Sequence, residues 1–404
     1  MNAVTRAETL QENRRLGSLG AMVVRIGGGI GLAALAAALL LASQVSHGWE
    51  HLYQAYVTSF CYVLSLSLGA LFFVLLQHLT RSGWSVTLRR IAEGFLPHAG
   101  LLLVLFVPLL AGLYALPAPA HEGAAAGGEL HGARAVWLDH RFVTVRYAVY
   151  WAVWGLLGAC FAGWSARQDA SGDIALTRRM EKLGAPAMLV YAITVTFASF
   201  DLLMSRDPHW YSTIYGVYFF AGSVVGFFAL LPLVAFLLQC QGRTTASIAV
   251  DHYHNMGKLL FGFTVFWAYI AYSQYMLIWY GNIPEETVWY LRRQTGPWTA
   301  RTLALLFGHF VVPFLALLSR YPKRRPALLA TAAVWMLVMH WLDVFWLSRP
   351  EAHGGMAAVT VFDGLCLVGV GGLFVATAAW RLGRGSLVPE RDPRLAEALA
   401  FHDV

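Results

Sequence analysis

Ten long, nearly uncharged stretches follow one another along this chain of 404 residues, and no other feature restricts its fold so tightly. A helix advances about 1.5 Å per residue, so roughly 20 apolar residues cross a hydrocarbon layer about 30 Å thick. The stretches lie near residues 21–43, 55–78, 93–116, 143–164, 185–205, 213–239, 257–280, 300–319, 326–347 and 357–380. Within lipid each backbone amide needs an internal partner, which leaves helices or closed barrels. Barrel strands alternate apolar and polar residues over about 10 positions, whereas these runs are continuous. The sequence therefore predicts an all-α, polytopic membrane protein with about ten transmembrane helices. It divides into an N-terminal segment (1–20), a helical membrane domain (21–380) and a C-terminal tail (381–404). The first run is longer than the roughly 7–15 apolar residues of a secretory signal, so it is expected to be a retained span.

Composition agrees with that reading. With 58% hydrophobic and 13% charged residues, the chain carries more apolar surface than one water-facing domain buries. The net charge of +7 does not call for nucleic acid, because the basic residues sit in the short connections between runs. If the N-terminus is cytoplasmic, twenty Lys and Arg residues fall in the connections and termini of that side and six on the other. Basic residues are retained on the cytoplasmic side, so both termini are expected there. The longest outer connection, 117–140, is rich in Ala, Gly and Pro and is expected to be irregular or to dock on another protein. Cys61, Cys160, Cys240 and Cys366 lie in or beside apolar runs without C-x-x-C spacing, which argues against an iron–sulfur cluster, a c-type haem or structural zinc in this chain.

Ionisable side chains inside spans cost at least a few kcal/mol and face the bundle interior, with a partner or a task. Asp201 lies near the outer end of the fifth span, and Asp207, His209 and Trp210 follow in the next turn. His309 is central in the eighth span, and Asp363 lies in the outer half of the tenth. In the ninth, His340 and Asp343 are three residues apart and share a helix face. Gln274 is in the outer half of the seventh, and His98 follows Pro97 in the third. A line from His98 through His309 to Asp343, Asp363 and Asp201 would supply titratable groups at several depths, as a proton relay or a quinone pocket requires. The competing reading is that each group only fixes helix packing by hydrogen bonding. For the turn residues Asp207, His209 and Trp210, anchoring at the headgroup level is the competing role. Because His98, His309 and His340 stand at different depths, a stack of bis-histidine haems is not expected. Nucleotide-binding and zinc-protease motifs are absent from the sequence.

Four segments carry a resemblance: GWSVTLRRIAE from Gly83, ASFDLLMSRDPHWYSTIYGVYFFAGS around Asp201, AYSQYMLIWYGNIPEETVWY around Gln274, and LLFGHFVVPFLALLSR around His309. In these the chain resembles the ActF family, NrfD-like membrane subunits of alternative complex III, a bacterial quinol:cytochrome c or quinol:electron-acceptor oxidoreductase. The likeness runs from about Gly83 to the tenth span. It implies a helical subunit of the polysulfide-reductase membrane-subunit type in the bacterial inner membrane, built as a pair of four-helix bundles plus extra helices. It further implies that the chain binds no redox cofactor of its own, with quinone or menaquinone as the candidate ligand. The implied partners are an ActC-like quinol-oxidising subunit and subunits carrying haem c and iron–sulfur clusters. Asp201, His309 and Asp343 match polar positions of the family's segments, whereas Leu202 and Arg206 stand where Trp and an apolar residue are expected. Two functional classes remain: a subunit that conducts protons or associates with quinone, and a scaffold that anchors the redox subunits. A solute transporter would need broken helices around a midplane cavity.

Overall fold

The computed structural model describes residues 12–97, 100–115, 133–207, 209–350 and 357–402. His98 and residues 116–132, most of the connection 117–140, lie outside the described residues. In chain order the helices are α1 (Ser18–Ala42), α2 (Gly48–Leu79), α3 (Val86–Gly94), α4 (Leu101–Ala115), α5 (His140–Ser171), α6 (Ile174–Leu202), α7 (Tyr215–Cys240), α8 (Val250–Gly281), α9 (Pro284–Gln294), α10 (Trp298–Leu318), α11 (Pro326–Ser348), α12 (Val361–Leu382) and α13 (Leu395–Leu399). Among the described residues there is no strand, only an isolated bridge between Asn13 and Arg243. Within the connection 117–140, Ala133–Trp137 forms a short helical turn.

Eight of these helices are long and apolar enough to cross a bilayer: α1, α2, α5, α6, α7, α10, α11 and α12. The other two predicted spans differ for identifiable reasons. The run at 93–116 is broken, because α3 ends at Gly94 and α4 starts at Leu101. Pro97 lies in the gap, and a proline disfavours helical geometry in the residue before it while offering no N–H of its own. At 15 residues, α4 is shorter than the roughly 20 that a perpendicular crossing needs. The 32-residue helix α8 has the length but is less apolar, since Tyr, Trp, Asn and His interrupt it.

The centre of the bundle is α2, whose most apolar stretch is 89% buried. It packs against α6, α7, α11 and α12, and α7 packs in turn on α8 and α11. At the periphery α1 is covered almost only by α12, through glycines. A methyl group on Gly31 would come within 2.9 Å of the Gly369 carbonyl, and one on Gly372 within 2.8 Å of the Gly27 carbonyl. Small residues let helix backbones close to such distances where lipid supplies no hydrophobic drive.

The first and last described segments meet at one end of the bundle. The Leu387 amide donates to the Arg14 carbonyl at 2.7 Å, and Glu12 accepts from the Ala246 and Ser247 amides at 2.8 and 2.9 Å. In the same layer the buried Arg89 pairs with Asp392 of the tail, Arg90 contacts Glu93 at 3.0 Å and Asp169 at 2.7 Å, and Arg394 reaches Glu181 at 2.5 Å. The polar tail thus folds down as a layer across this terminal end.

Candidate functional site

Midway along the bundle, four helices bring polar groups together. Ser65 is near the middle of α2, Trp267 of α8, His309 of α10 and His340 of α11. Tyr218, from the first turn of α7, and Asp343, one turn beyond His340, extend the group toward the end opposite the termini. All six side chains are buried.

Their contacts form a short sequence. The Tyr218 hydroxyl donates to Asp343 Oδ1 at 2.6 Å, and Trp267 Nε1 donates to Oδ2 at 3.1 Å. The Trp267 ring also lies 4.0 Å, centroid to centroid, from the His309 ring. His309 and His340 are 6.5 Å apart by ring centroids, and His340 Nε2 shares a 2.7 Å hydrogen bond with Ser65 Oγ. The Asp343 carboxyl therefore rests on two neutral donors and forms no ion pair among the described residues. On His309 both ring nitrogens are buried without a partner among the described residues, as is Nδ1 of His340. A neutral imidazole carries one donor and one acceptor, so this group holds hydrogen-bonding capacity that its own helices do not use.

Local sequence explains how the cluster is held. Gly222 and Gly226 of α7 face α11: a methyl group on Gly222 would lie 3.2 Å from His340 Cε1 and 3.3 Å from Asp343 Oδ2, and one on Gly226 only 2.6 Å from His340 Cδ2. This G-x-x-x-G spacing on α7 leaves room for polar side chains between close helices. Around His309, α10 widens into a π-helical turn over Leu305–Val311. The Val312 amide donates to the Phe307 carbonyl, five residues back. In the same pattern residue 313 would serve the Gly308 carbonyl, but it is proline and has no N–H. Trp335 Nε1 of α11 serves that carbonyl instead, at 2.7 Å. Such π turns are rare and recur at functional positions.

The remaining predicted residues lie elsewhere. Asp201 is fixed by Arg146 of α5 through two bonds of 2.8 and 2.7 Å and accepts from the Tyr150 hydroxyl at 2.8 Å. Asp363 pairs with the buried Arg349 and caps its own helix through the Thr360 amide at 2.8 Å. Gln274 lies two turns beyond Trp267 on α8, buried and with no partner for Nε2 among the described residues. Asp207 accepts from Arg292 at 3.0 Å, and His209 is exposed. Trp210 is packed inside the protein. It is 4% exposed, stacks on Trp289 of α9 at 4.4 Å and donates to the Glu286 carbonyl at 3.2 Å.

Sequence reasoning did not single out Tyr218, Trp267, Ser65 or Arg146. For Arg146 the signal was present, a cation inside an apolar run, and the rule applied to Asp201 selects it equally. Tyr218, Trp267 and Ser65 carry no such signal, because aromatic and hydroxyl residues occur on every face of membrane helices. Compared with known proteins, the chain matches no protein-family model and no curated protein sequence.

Proposed function

We propose that this chain is an ActF-type membrane subunit of a quinol-oxidising respiratory complex, in which His309, His340 and Asp343 exchange protons at mid-membrane. The observation that carries the reading is Asp343: a buried carboxyl held by Tyr218 and Trp267 with no counter-charge among the described residues, the same Trp267 packing on His309, whose two ring nitrogens have no partner among those residues. No fixed cation locks such a group in one protonation state, and ionisable groups kept inside a membrane bundle mark ion or proton pathways. In this reading α8 and the broken α3–α4 region complete ten crossings, the terminal end faces the cytoplasm of a bacterium, and quinone oxidation, haem c and iron–sulfur chemistry belong to partner subunits. The ion pairs Arg146–Asp201 and Arg349–Asp363 favour a scaffolding contribution alongside, since each ties separate segments together.

The test is the intact complex in proteoliposomes carrying Asp343→Asn. The expected result is a lower ratio of protons moved to electrons transferred, with all subunits retained. An unchanged ratio overturns the proton-exchange reading and leaves the scaffold.

A further inference from the structure

The outward faces of α5, α6, α10 and α11 carry Leu156, Ile193, Leu306 and Val338, side chains that lipid solvates. On α8 the outward positions are Gly262, Val265, Tyr269, Tyr272 and Met276, which recur at intervals of three and four residues and so share one face. Tyr269 and Tyr272 are 65% and 62% exposed, and neither hydroxyl has a partner among the described residues. By contrast, Tyr62 donates to the Leu337 carbonyl, Tyr191 donates to the Leu68 carbonyl, and even the exposed Tyr114 is bonded to Thr144.

Depth makes the two phenols expensive. Trp267, two residues before Tyr269, packs on His309 at the middle of α10, so Tyr269 stands near the centre of the bundle and Tyr272 one turn beyond it. Long side chains on a helix lean toward its N-terminus. The N-terminus of α8 is at the terminal end, where Asp251 meets His402 of the tail, so both phenols lean toward mid-depth and away from the nearer headgroup layer. Trp279 and Tyr280, at the far end of α8, are the residues placed for headgroup anchoring. Hydrocarbon offers a hydroxyl no acceptor, and an unmet polar group costs most there. Two turns before Tyr269, a methyl group added to Gly262 would meet nothing within 4 Å, so the same face is open to a close helix.

We propose that this face of α8 seats a transmembrane helix of a different membrane protein, one that carries side-chain hydrogen-bond acceptors near mid-depth for Tyr269 and Tyr272. Hydrogen bonds between membrane helices are individually modest, so the two hydroxyls set the partner's register while packing along Gly262, Val265 and Met276 supplies the contact. Another copy of this chain fits less well, because its outward span faces offer hydrocarbon or the same two phenols. The inference rests on α8 crossing the membrane, as read above, and not on proton exchange at Asp343.

The experiment replaces Tyr269, Tyr272 or, as a lipid-facing control, Leu306 with photoreactive p-benzoylphenylalanine in the full-length chain, in the membranes of its own cells. Illumination is expected to join the two tyrosine positions to a membrane-spanning peptide of one other polypeptide, identified by sequencing the crosslinked peptide, and the Leu306 position to lipid. The double variant Tyr269→Phe with Tyr272→Phe keeps the shape of the face and removes both hydroxyls. It is expected to lower co-purification of that polypeptide about tenfold under detergent challenge, with the melting temperature of the isolated chain unchanged. Lipid adducts alone at both tyrosine positions overturn the proposal while leaving α8 in the membrane. Adducts to another copy of this chain also overturn it, as does co-purification that the loss of both hydroxyls does not change. Failure of the proton-exchange reading is seen separately, in the proton ratio of Asp343→Asn.

Discussion

Asp201 and Asp343 are both buried carboxylates on apolar helices, and their surroundings are opposite. Asp201 is clasped by the guanidinium of Arg146 through two charge-assisted bonds, while Asp343 rests on a phenol and an indole. A charge paired in this way is committed to structure, because removing either partner strands the other in a medium that cannot solvate it. A carboxyl held by neutral donors leaves nothing stranded when it takes up a proton. Burial of an acid in a membrane helix therefore does not identify a functional group; the nature of its partner does.

The sharpest way to break this comparison is Asp201→Ala. Arg146 would be left buried and uncompensated, at an expected cost of about 3–5 kcal/mol, seen as loss of folded protein and a lower melting temperature. The double variant Arg146→Met with Asp201→Leu is expected to recover most of that loss. Next in size is Gly226→Ala, whose methyl group would meet His340 at 2.6 Å and Leu66 at 2.8 Å. Overpacking of this kind costs about 1–3 kcal/mol and is expected to disturb the His340–Ser65 contact, visible in the histidine ring resonances.

Asp392→Asn offers an intermediate case. Arg89 loses the tail carboxylate but keeps Glu93 at 3.8 Å, so the stability loss is expected to stay below that of Asp201→Ala. Its signature is faster proteolysis of the residues after α12. Trp335→Phe removes the bond to the Gly308 carbonyl and is expected to cost about 1 kcal/mol, read in thermal unfolding. The smallest effect on stability belongs to Asp343→Asn. It preserves shape and removes no counter-ion, so the melting temperature is expected to change by less than about 1 kcal/mol equivalent while proton movement falls. A large stability loss there would erase the distinction between the two carboxylates.

Much of the architecture was legible because membrane helices announce themselves by length and apolarity. Eight of the ten predicted runs are helices that meet both criteria. Position within the bundle was not legible. The runs that become α1 and α2 are almost equally apolar, yet 17% of one and 89% of the other is buried. In water the exposed face of α1 would be polar and would give its position away; in lipid both faces are apolar and the clue disappears. The same limit hid the partners of Asp343. The spacing of His340 and Asp343 placed them on one face of α11, and His309 stood out as a lone imidazole in an apolar run. Which neighbouring helices would offer Tyr218, Trp267 and Ser65 depends on rotations that no single run encodes. At 93–116 the proline was visible, but a continuous helix was expected because the flanking residues are apolar on both sides of it.

The layer that closes the terminal end joins the earliest and latest parts of the polypeptide. Arg14 waits for Leu387, and Arg89 for Asp392. During translation, therefore, the first helices enter the bilayer long before their covering residues leave the ribosome, and this surface is completed only once synthesis has passed residue 392. Reporter fusions that stop after Leu382 would leave Arg89 without Asp392 and the Arg14 carbonyl without Leu387, and their yields would register an unfinished seal even when every crossing is in place.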